Sequence, residues 1–272
     1  MRYFIELSYK GTNYHGWQIQ PDASSVQEEI TKALATILQE KILLVGAGRT
    51  DAGVHASQMF AHVDTVKKLT DDYVHKLNAI LPNDIVIKSI KEVSDDTHAR
   101  FDAVSRTYEY KILLGRDPFL LETTWQLHQK NLQIEKMNEA ANLLFKYEDF
   151  ESFSKVKTDV NTFNCTIMKA VWTLEDKHLI FHIKANRFLR NMVRAVVGTL
   201  LEVGLGKKTV EDFRKIIESK KAIEPFTMSA VMDDPALQRK AAEIRINSEH
   251  PINKELPLLE SYSKHIKIRI GY

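Results

Sequence analysis

Apolar residues recur along the chain with two different periods, and the change between them marks the secondary structure. A period of two, typical of strands, predicts strands at residues 3–9, 41–45, 58–63, 85–93, 107–114, 165–174 and 179–185. A helical period predicts helices at residues 26–37, 70–81, 134–145 and 209–219. A further long apolar helix is predicted to begin at Asn186, as its cap, and to end near Gly204.

The alternation of strands and helices falls into two parts of similar style. We therefore expect an α+β fold with an N-terminal half at residues 1–101 and a C-terminal half at residues 102–230. The remaining residues, 231–272, are predicted to form a separate tail. The sequence contains no short tandem repeat and no low-complexity linker that would suggest another division.

Composition places the chain in the ordinary globular class, with 272 residues, 44% hydrophobic and 27% charged. It has no run of about 18 apolar residues, so no membrane span is expected, and its N-terminus lacks the apolar core of a signal peptide. A single cysteine, Cys165, fits a reducing compartment, and we expect a cytoplasmic protein. The net charge of +2 neither requires nor excludes a nucleic-acid partner.

The segment GAGRTDAGVHA, residues 46–56, is the most unusual stretch of the chain. Its glycines indicate backbone conformations or close approaches that a side chain would prevent. Arg49 and Asp51 are therefore expected to lie on a short, constrained loop directly after a strand. Such a loop is either a charged tight turn or a device that presents a carboxylate.

Other kinds of site fit these residues poorly. A dinucleotide-binding fingerprint needs a third glycine where this chain has Asp51, whose charge would face a pyrophosphate. The ten histidines form no HExxH motif and there is no Cys/His cluster, so no metal is expected. His55 and His62 are typical of structural or supporting histidines. A Ser-His-Asp triad stays possible, although the sequence has no G-x-S-x-G elbow.

The predicted helix after Asn186 carries a basic stripe. Arg187, Arg190 and Arg194 fall within about 60° of one another around a helix axis, and the rest of the helix surface is largely apolar. The stripe is either a solvated face or a binding surface. An arginine that is half-buried on such a helix needs a carboxylate partner, and Asp51 is a candidate. Residues 184–221 hold ten basic and four acidic residues, as expected of a polyanion-binding region.

Several motifs in order make the chain similar to a known family. They are GTNYHGWQIQP (11–21), SVQEEI (25–30), GAGRTDAGVHA (46–56), HARFDAVSRTYEY (98–110), YEDFESFS (147–154) and ANRFLRNMVRAVVGTLLEVGLGK (185–207). Together they resemble the tRNA pseudouridine synthases of the A type, which modify positions 38–40 of the anticodon arm. The resemblance covers roughly residues 1–220, and its most specific motif is GRTDxGVHA.

The resemblance implies a fold, a substrate and an assembly. The fold would be two ferredoxin-like halves around a continuous, mostly antiparallel sheet with a central basic cleft. The enzyme would be a homodimer that binds tRNA and uses no cofactor or metal. It would isomerise uridine to pseudouridine, a reaction that breaks the C1′–N1 bond, turns the uracil and rejoins it through C5.

The resemblance also implies roles for individual residues. Asp51 would be the catalytic nucleophile, because a carboxylate can stabilise or trap a sugar cation. Arg49 would help to extrude the target base, Tyr108 would contact the flipped uracil, and Arg194 would pair with the aspartate. As further substrate-binding candidates we take Arg187, Arg190 and His55.

The chain departs from the family after Lys221, where the family's closing strand cannot be aligned. Residues 232–250 have the pattern of a loose helix, and Ile266, Ile268 and Ile270 alternate with charged residues as in a strand. We expect poor packing of the tail over 264–271. The alternative to an active enzyme is therefore a catalytically impaired tRNA-binding homologue with an incomplete active-site floor.

Overall fold

A computed structural model describes residues 1–128, 131–154 and 161–221, and the backbone of residues 242–246. Within these ranges the fold is a mixed α/β one. The N-terminal half contains β1 (Arg2–Tyr9), α1 (Val26–Leu38), β2 (Leu44–Gly46), β3 (His55–Asp64), α2 (Asp72–Ile80) and β4 (Ile85–Val93). The C-terminal half contains β5 (Arg106–Leu114), β6 (Trp125–Leu127), α3 (Ile134–Leu143), β7 (Ile167–Glu175), β8 (His178–Ala185), α4 (Met192–Gly204), α5 (Val210–Ser219) and β9 (Ala242–Ile246).

In the N-terminal half, β1 lies between β3 and β4 and pairs with both in the antiparallel sense, while β2 pairs with the other edge of β3. The hydrophobic core collects side chains from β1, such as Phe4, Ile5 and Leu7, and the apolar face of α1. Ser25 is the N-terminal cap of α1, because its side chain accepts the Glu28 backbone N–H at 3.3 Å. The predicted strands and helices of this half are thus present, with ends that differ by a few residues.

In the C-terminal half, β8 lies between β5 and β7 in an antiparallel arrangement. Alternate residues of β8 are buried: Leu179, Phe181, Ile183 and Ala185. Helices α3, α4 and α5 contact one another, and α3 also contacts β7. Helix α4 is buried along nearly its whole length and forms the centre of this layer.

Strand β9 corrects the helical interpretation at residues 242–246, and the rest of the loose helix predicted at 232–250 lies outside the described residues. The backbone of β9 pairs in parallel with β3 at residues 55–58 and antiparallel with β5 at residues 106–110. Both of these strand segments would otherwise present unpaired backbone groups, and satisfying them outweighs a weak local helical pattern. The predicted strand at 264–271 lies outside the described residues.

The start of α4 is a second correction. The sequence predicted a helix from Asn186, but α4 begins at Met192 and its cap residue Asn191 has a left-handed backbone with φ of 71°. A left-handed residue interrupts a right-handed helix. Residues 186–191, which we call the arginine segment, therefore lead into α4 without belonging to it.

Candidate active site

Asp51 lies on a loop between β2 and β3, residues 46–54, which we call the Asp51 loop. The loop closes in a turn in which the Val54 N–H donates to the Asp51 carbonyl oxygen at 3.3 Å. Gly53 occupies the third position of this turn with φ of 79°, the left-handed conformation that a type II turn requires. The glycine after Asp51 is therefore needed for the turn itself.

The segment of residues 11–17 packs closely against the Asp51 loop. A methyl group on Gly46 would overlap the buried indole ring of Trp17, and a methyl group on Gly11 would overlap the Val54 carbonyl. Gly16 combines a similar overlap, with the Thr50 carbonyl, and a φ of +95°. These close approaches explain why two glycine-containing motifs, distant in sequence, are both required here.

Hydrogen bonds join the same two segments. The Trp17 N–H donates to the Thr50 carbonyl at 3.3 Å, and the Gly53 N–H donates to the Tyr14 carbonyl at 3.2 Å. The Thr50 hydroxyl lies 2.9 Å from the hydroxyl of Tyr9. The backbone on both sides of Asp51 is therefore fixed to β1 and to the segment that follows it.

The carboxylate of Asp51 pairs with Arg194 of α4. Arg194 Nη2 donates to Asp51 Oδ2 at 2.7 Å, and the two side chains are 30% and 44% exposed. The ion pair predicted from the sequence is thus present, and it joins the N-terminal and C-terminal halves. A partly exposed carboxylate held in one position by an arginine can act on a substrate that enters from solvent.

Two tyrosines of β5, Tyr108 and Tyr110, lie close enough to the ion pair to be affected by its charges. Burial raises the pKa of Tyr108, and the negative charge of Asp51 raises it further. The Tyr108 ring also meets Phe188 edge to face, with centroids 5.0 Å apart. Burial likewise raises the pKa of Tyr110, although the positive charge of Arg194 opposes this effect. Both phenols are thus protonated at neutral pH, and Tyr108 lies within electrostatic range of Asp51.

The other predicted arginines lie nearby, but not on one helical stripe. Arg187 and Arg190 belong to the arginine segment, so the helical-phase argument that grouped them with Arg194 was wrong. Arg190 is exposed and Arg187 is partly buried, while Arg49 is exposed on the Asp51 loop. The basic side chains of this region thus come from three separate pieces of chain.

The hydrogen bonds of His55 favour a structural role over the substrate contact expected from the sequence. Its Nδ1 accepts the Gly11 N–H at 2.9 Å and its Nε2 lies 2.6 Å from the Glu122 carbonyl oxygen. With both ring nitrogens occupied by backbone groups, the imidazole has none to offer a substrate. His55 instead fixes the segment of residues 11–17 and the loop around Glu122 to the start of β3.

Arg106 is a residue of the site that the sequence did not single out. Its guanidinium donates to four backbone carbonyls, those of Ala103, Asn186, Ala47 and Arg100, at 2.6–3.1 Å. Burial lowers its pKa, although the group stays charged. Arg106 therefore ties the Asp51 loop to the arginine segment. Only its place in the motif HARFDAVSR could have drawn attention to it.

Over residues 1–128, 131–154 and 161–221 there is no group of three or more His, Cys, Asp or Glu side chains that could hold a metal ion. Cys165 is buried, which raises the pKa of its thiol to about 11. None of the helices in the described part of the chain is long and apolar enough to cross a membrane.

Comparison with known proteins gives one consistent family. The family model described as tRNA pseudouridine synthase matches residues 7–102 and 140–238. The chain is also similar to proteins named tRNA pseudouridine synthase A. The one from Bacteroides fragilis is 56% identical over 220 residues, which cover 80% of this chain and 87% of the relative. The one from Parabacteroides distasonis is 52% identical over 221 residues, with 80% and 87% covered. A more distant one, from Anoxybacillus flavithermus, is 39% identical over 216 residues, with 79% and 88% covered.

Proposed function

The chain belongs to the tRNA pseudouridine synthase family, and on this premise we propose that Asp51 is its catalytic carboxylate. The enzyme is an isomerase that converts uridine in tRNA to pseudouridine. The observation that carries our assignment is the 2.7 Å ion pair between Asp51 and Arg194, because it places the aspartate of the GRTD motif at the junction of the two halves.

The chemistry requires a group of this kind. The C1′–N1 bond of uridine breaks, the uracil turns, a C5–C1′ bond forms, the C5 proton leaves and N1 gains a proton. A carboxylate can contribute by attack at C1′, by attack at C6 of the uracil or by removal of the 2′ proton. Each of these routes needs a carboxylate at a fixed position, which the ion pair with Arg194 and the constrained Asp51 loop supply.

The neighbouring residues complete the proposed site. The target base must leave its stack before it can react, and Arg49, exposed and two residues before Asp51 in the chain, would occupy the vacated space. Tyr108, whose phenol is protonated at neutral pH, can stack against the uracil or donate a hydrogen bond to it. Arg187 and Arg190 supply positive charge for the phosphates of the RNA.

We extend the proposal to the substrate region, the assembly and the fold detail. The uridines would be those at positions 38–40 of the anticodon arm, the enzyme would act as a homodimer in the cytoplasm, and β9 would make the two sheets continuous. The alternative, an impaired tRNA-binding homologue, depended on a missing closing strand. The pairing of β9 with β3 and β5 supports the active enzyme instead.

The test is incubation of the purified chain with unmodified tRNA, followed by mapping of pseudouridine in the anticodon arm. We expect Asp51→Asn to abolish product while tRNA binding persists. Asp176→Asn is the matched control, because Asp176 lies exposed in the β7–β8 turn, where asparagine tolerates its φ of 56°. Turnover by Asp51→Asn within tenfold of the parent would exclude Asp51 from this role.

A further inference from the structure

A tight turn at residues 98–102 joins β4 to the strand that carries Tyr108, and hydrogen bonds fix its shape. The His98 N–H donates to the Asp102 carboxylate at 2.6 Å, and the Asp102 N–H donates to the His98 carbonyl at 3.0 Å. His98 Nδ1 accepts the N–H groups of Arg100 and Phe101 at 3.1 and 3.3 Å. The turn is therefore organised in advance, and its shape does not depend on a partner.

This turn carries a solvent-exposed aromatic ring, that of Phe101. Phe101 is 75% exposed, yet its ring lies 4.2 Å from that of His98, which in turn meets His62 at 4.6 Å. The Arg100 guanidinium lies 5.8 Å from the centre of the Phe101 ring. The ring is thus supported from the core side and flanked by a cation, with most of its surface facing solvent.

Cationic side chains lie close to this turn. Arg100 and Arg187 are both close enough to Arg106 to lower its pKa, after the larger effect of burial. The carboxylate nearest in sequence, Asp102, is bound to the backbone of the turn. An exposed aromatic ring flanked by the Arg100 guanidinium fits RNA, whose phosphates and bases supply the complementary charge and flat surface.

The turn is also connected to the catalytic residues. Arg106 Nη2 donates to the carbonyl of Arg100 at 2.6 Å and to the carbonyl of Ala47 at 3.0 Å. Ala47 belongs to the Asp51 loop, so one guanidinium group positions both the exposed ring and the loop that carries the carboxylate. A ligand that contacts Phe101 therefore lies at the edge of the candidate site.

We propose that Phe101, supported by His98 and flanked by Arg100, stacks on a nucleobase of the bound tRNA outside the target nucleotide. The inference rests on the proposed function for the identity of the RNA. Stacking on one base contributes enough for its loss to weaken binding about tenfold. Because the contact is made equally in the ground and transition states, its loss changes the KM and leaves kcat unaltered.

The test compares Phe101→Ala with Phe101→Trp, which keeps an aromatic face. The control is Phe119→Ala, which removes a 93% exposed phenylalanine from the β5–β6 connection. Filter binding with unmodified tRNA measures the Kd, and steady-state assays measure KM and kcat. For Phe101→Ala we expect a Kd raised about tenfold, and a kcat at saturating tRNA and a melting temperature close to the parent values. Phe101→Trp and Phe119→Ala should bind like the parent.

Salt dependence separates stacking from charge. Stacking releases no counterion, so Phe101→Ala should shift the plot of log Kd against log salt without changing its slope, whereas Arg100→Gln should make the slope shallower. A Kd for Phe101→Ala within twofold of the parent would overturn the proposal, and so would a loss of binding in Phe101→Trp. A change in the molecular mass of the assembly with no change in Kd would identify a protein interface instead.

The binding measurement can be interpreted independently of the catalytic one. If the parent chain binds tRNA but makes no pseudouridine, the proposed function fails while the Kd comparison still decides the role of Phe101. If the parent makes pseudouridine and Phe101→Ala binds normally, only the stacking contact is refuted.

Discussion

The Asp51 loop and the arginine segment both bring charged side chains to the candidate active site, but they are held in different ways. The Asp51 loop fits against residues 11–17 so closely that glycines are needed at the contacts. The arginine segment has a backbone bond, from the Asn186 N–H to the Thr166 carbonyl, and is also held by side-chain contacts such as the bond from Arg106 to the Asn186 carbonyl and the packing of Phe188 on Tyr108. The carboxylate is thus placed by backbone shape, and the arginines by contacts that single substitutions can remove.

The largest effect is expected where the Asp51 loop meets α4, the helix that follows the arginine segment. Arg194→Gln removes the charge that fixes the Asp51 carboxylate, and we expect kcat/KM to fall about 100-fold or more, the range in which loss of an electrostatic contact at a reacting centre falls. A partly exposed ion pair contributes only about 1 kcal/mol or less to stability, so the melting temperature should change little. Steady-state kinetics and thermal melting on the same sample measure both effects. Activity within tenfold of the parent would show that the pair is not needed.

The packing of the Asp51 loop can be tested with Gly46→Ala. Its methyl group would overlap the buried ring of Trp17, and we expect a loss of about 1–3 kcal/mol in the free energy of unfolding. Gly204→Ala is the comparison: its methyl group would also overlap a neighbour, Met137, but this side chain is flexible and can move, and alanine favours the helix. Urea denaturation of both variants measures the difference. Equal stabilities would mean that the loop is less constrained than its contacts indicate.

The backbone conformation of Asn191, the last residue of the arginine segment, should affect the free energy of unfolding. Asn191→Ala forces a side chain with no local hydrogen bond into the left-handed region, and we expect a loss of about 1 kcal/mol. Asn191→Gly should be nearly neutral, since glycine adopts this conformation freely. Denaturation curves for the pair, with kcat/KM as a second readout, test whether this residue sets the start of α4. Identical behaviour of the two variants would contradict it.

A smaller effect should appear in the pH dependence of stability, through His62 on β3. Burial, followed by the charge of Arg2, lowers the pKa of His62 from 6.5 to about 4. The unfolded chain therefore binds the proton more strongly, so stability is intact above about pH 6.5 and falls as the pH decreases towards 4. His62→Gln should lose less stability than the parent between pH 7 and pH 5 in thermal melts. If the melting temperatures of the parent and of His62→Gln change with pH in parallel, His62 does not contribute to the pH dependence of stability.

The sequence predicted most of the secondary structure and the ion pair between Asp51 and Arg194. It did not predict the contacts of Arg106 or the pairing of β9. Period and capping residues predicted most elements, and the motif resemblance paired Asp51 with Arg194. The start of α4 was wrong because the left-handed conformation of Asn191 is not visible in a helical pattern. Arg106 was overlooked because its partners are backbone carbonyls from four separate residues, which leave no signature in the side chains.

Strand β9 was missed for a related reason. The alternation Ala-Glu-Ile-Arg-Ile at residues 242–246 fits a strand, but five residues are too few to outweigh the helical pattern around them. Its partners, β3 and β5, lie more than 100 residues earlier in the chain. A pairing at that separation is decided by the exposed edges of both partners, which only the folded structure reveals.

The position of β9 has a consequence for biosynthesis. The ribosome makes β3 and β5 long before β9, and at about 5–20 residues per second the interval after β5 lasts on the order of ten seconds. During that time the strand that pairs with both β3 and β5 does not yet exist. The newly made chain therefore presents the edges of β3 and β5 that pair with β9 to the cell until β9 has been made.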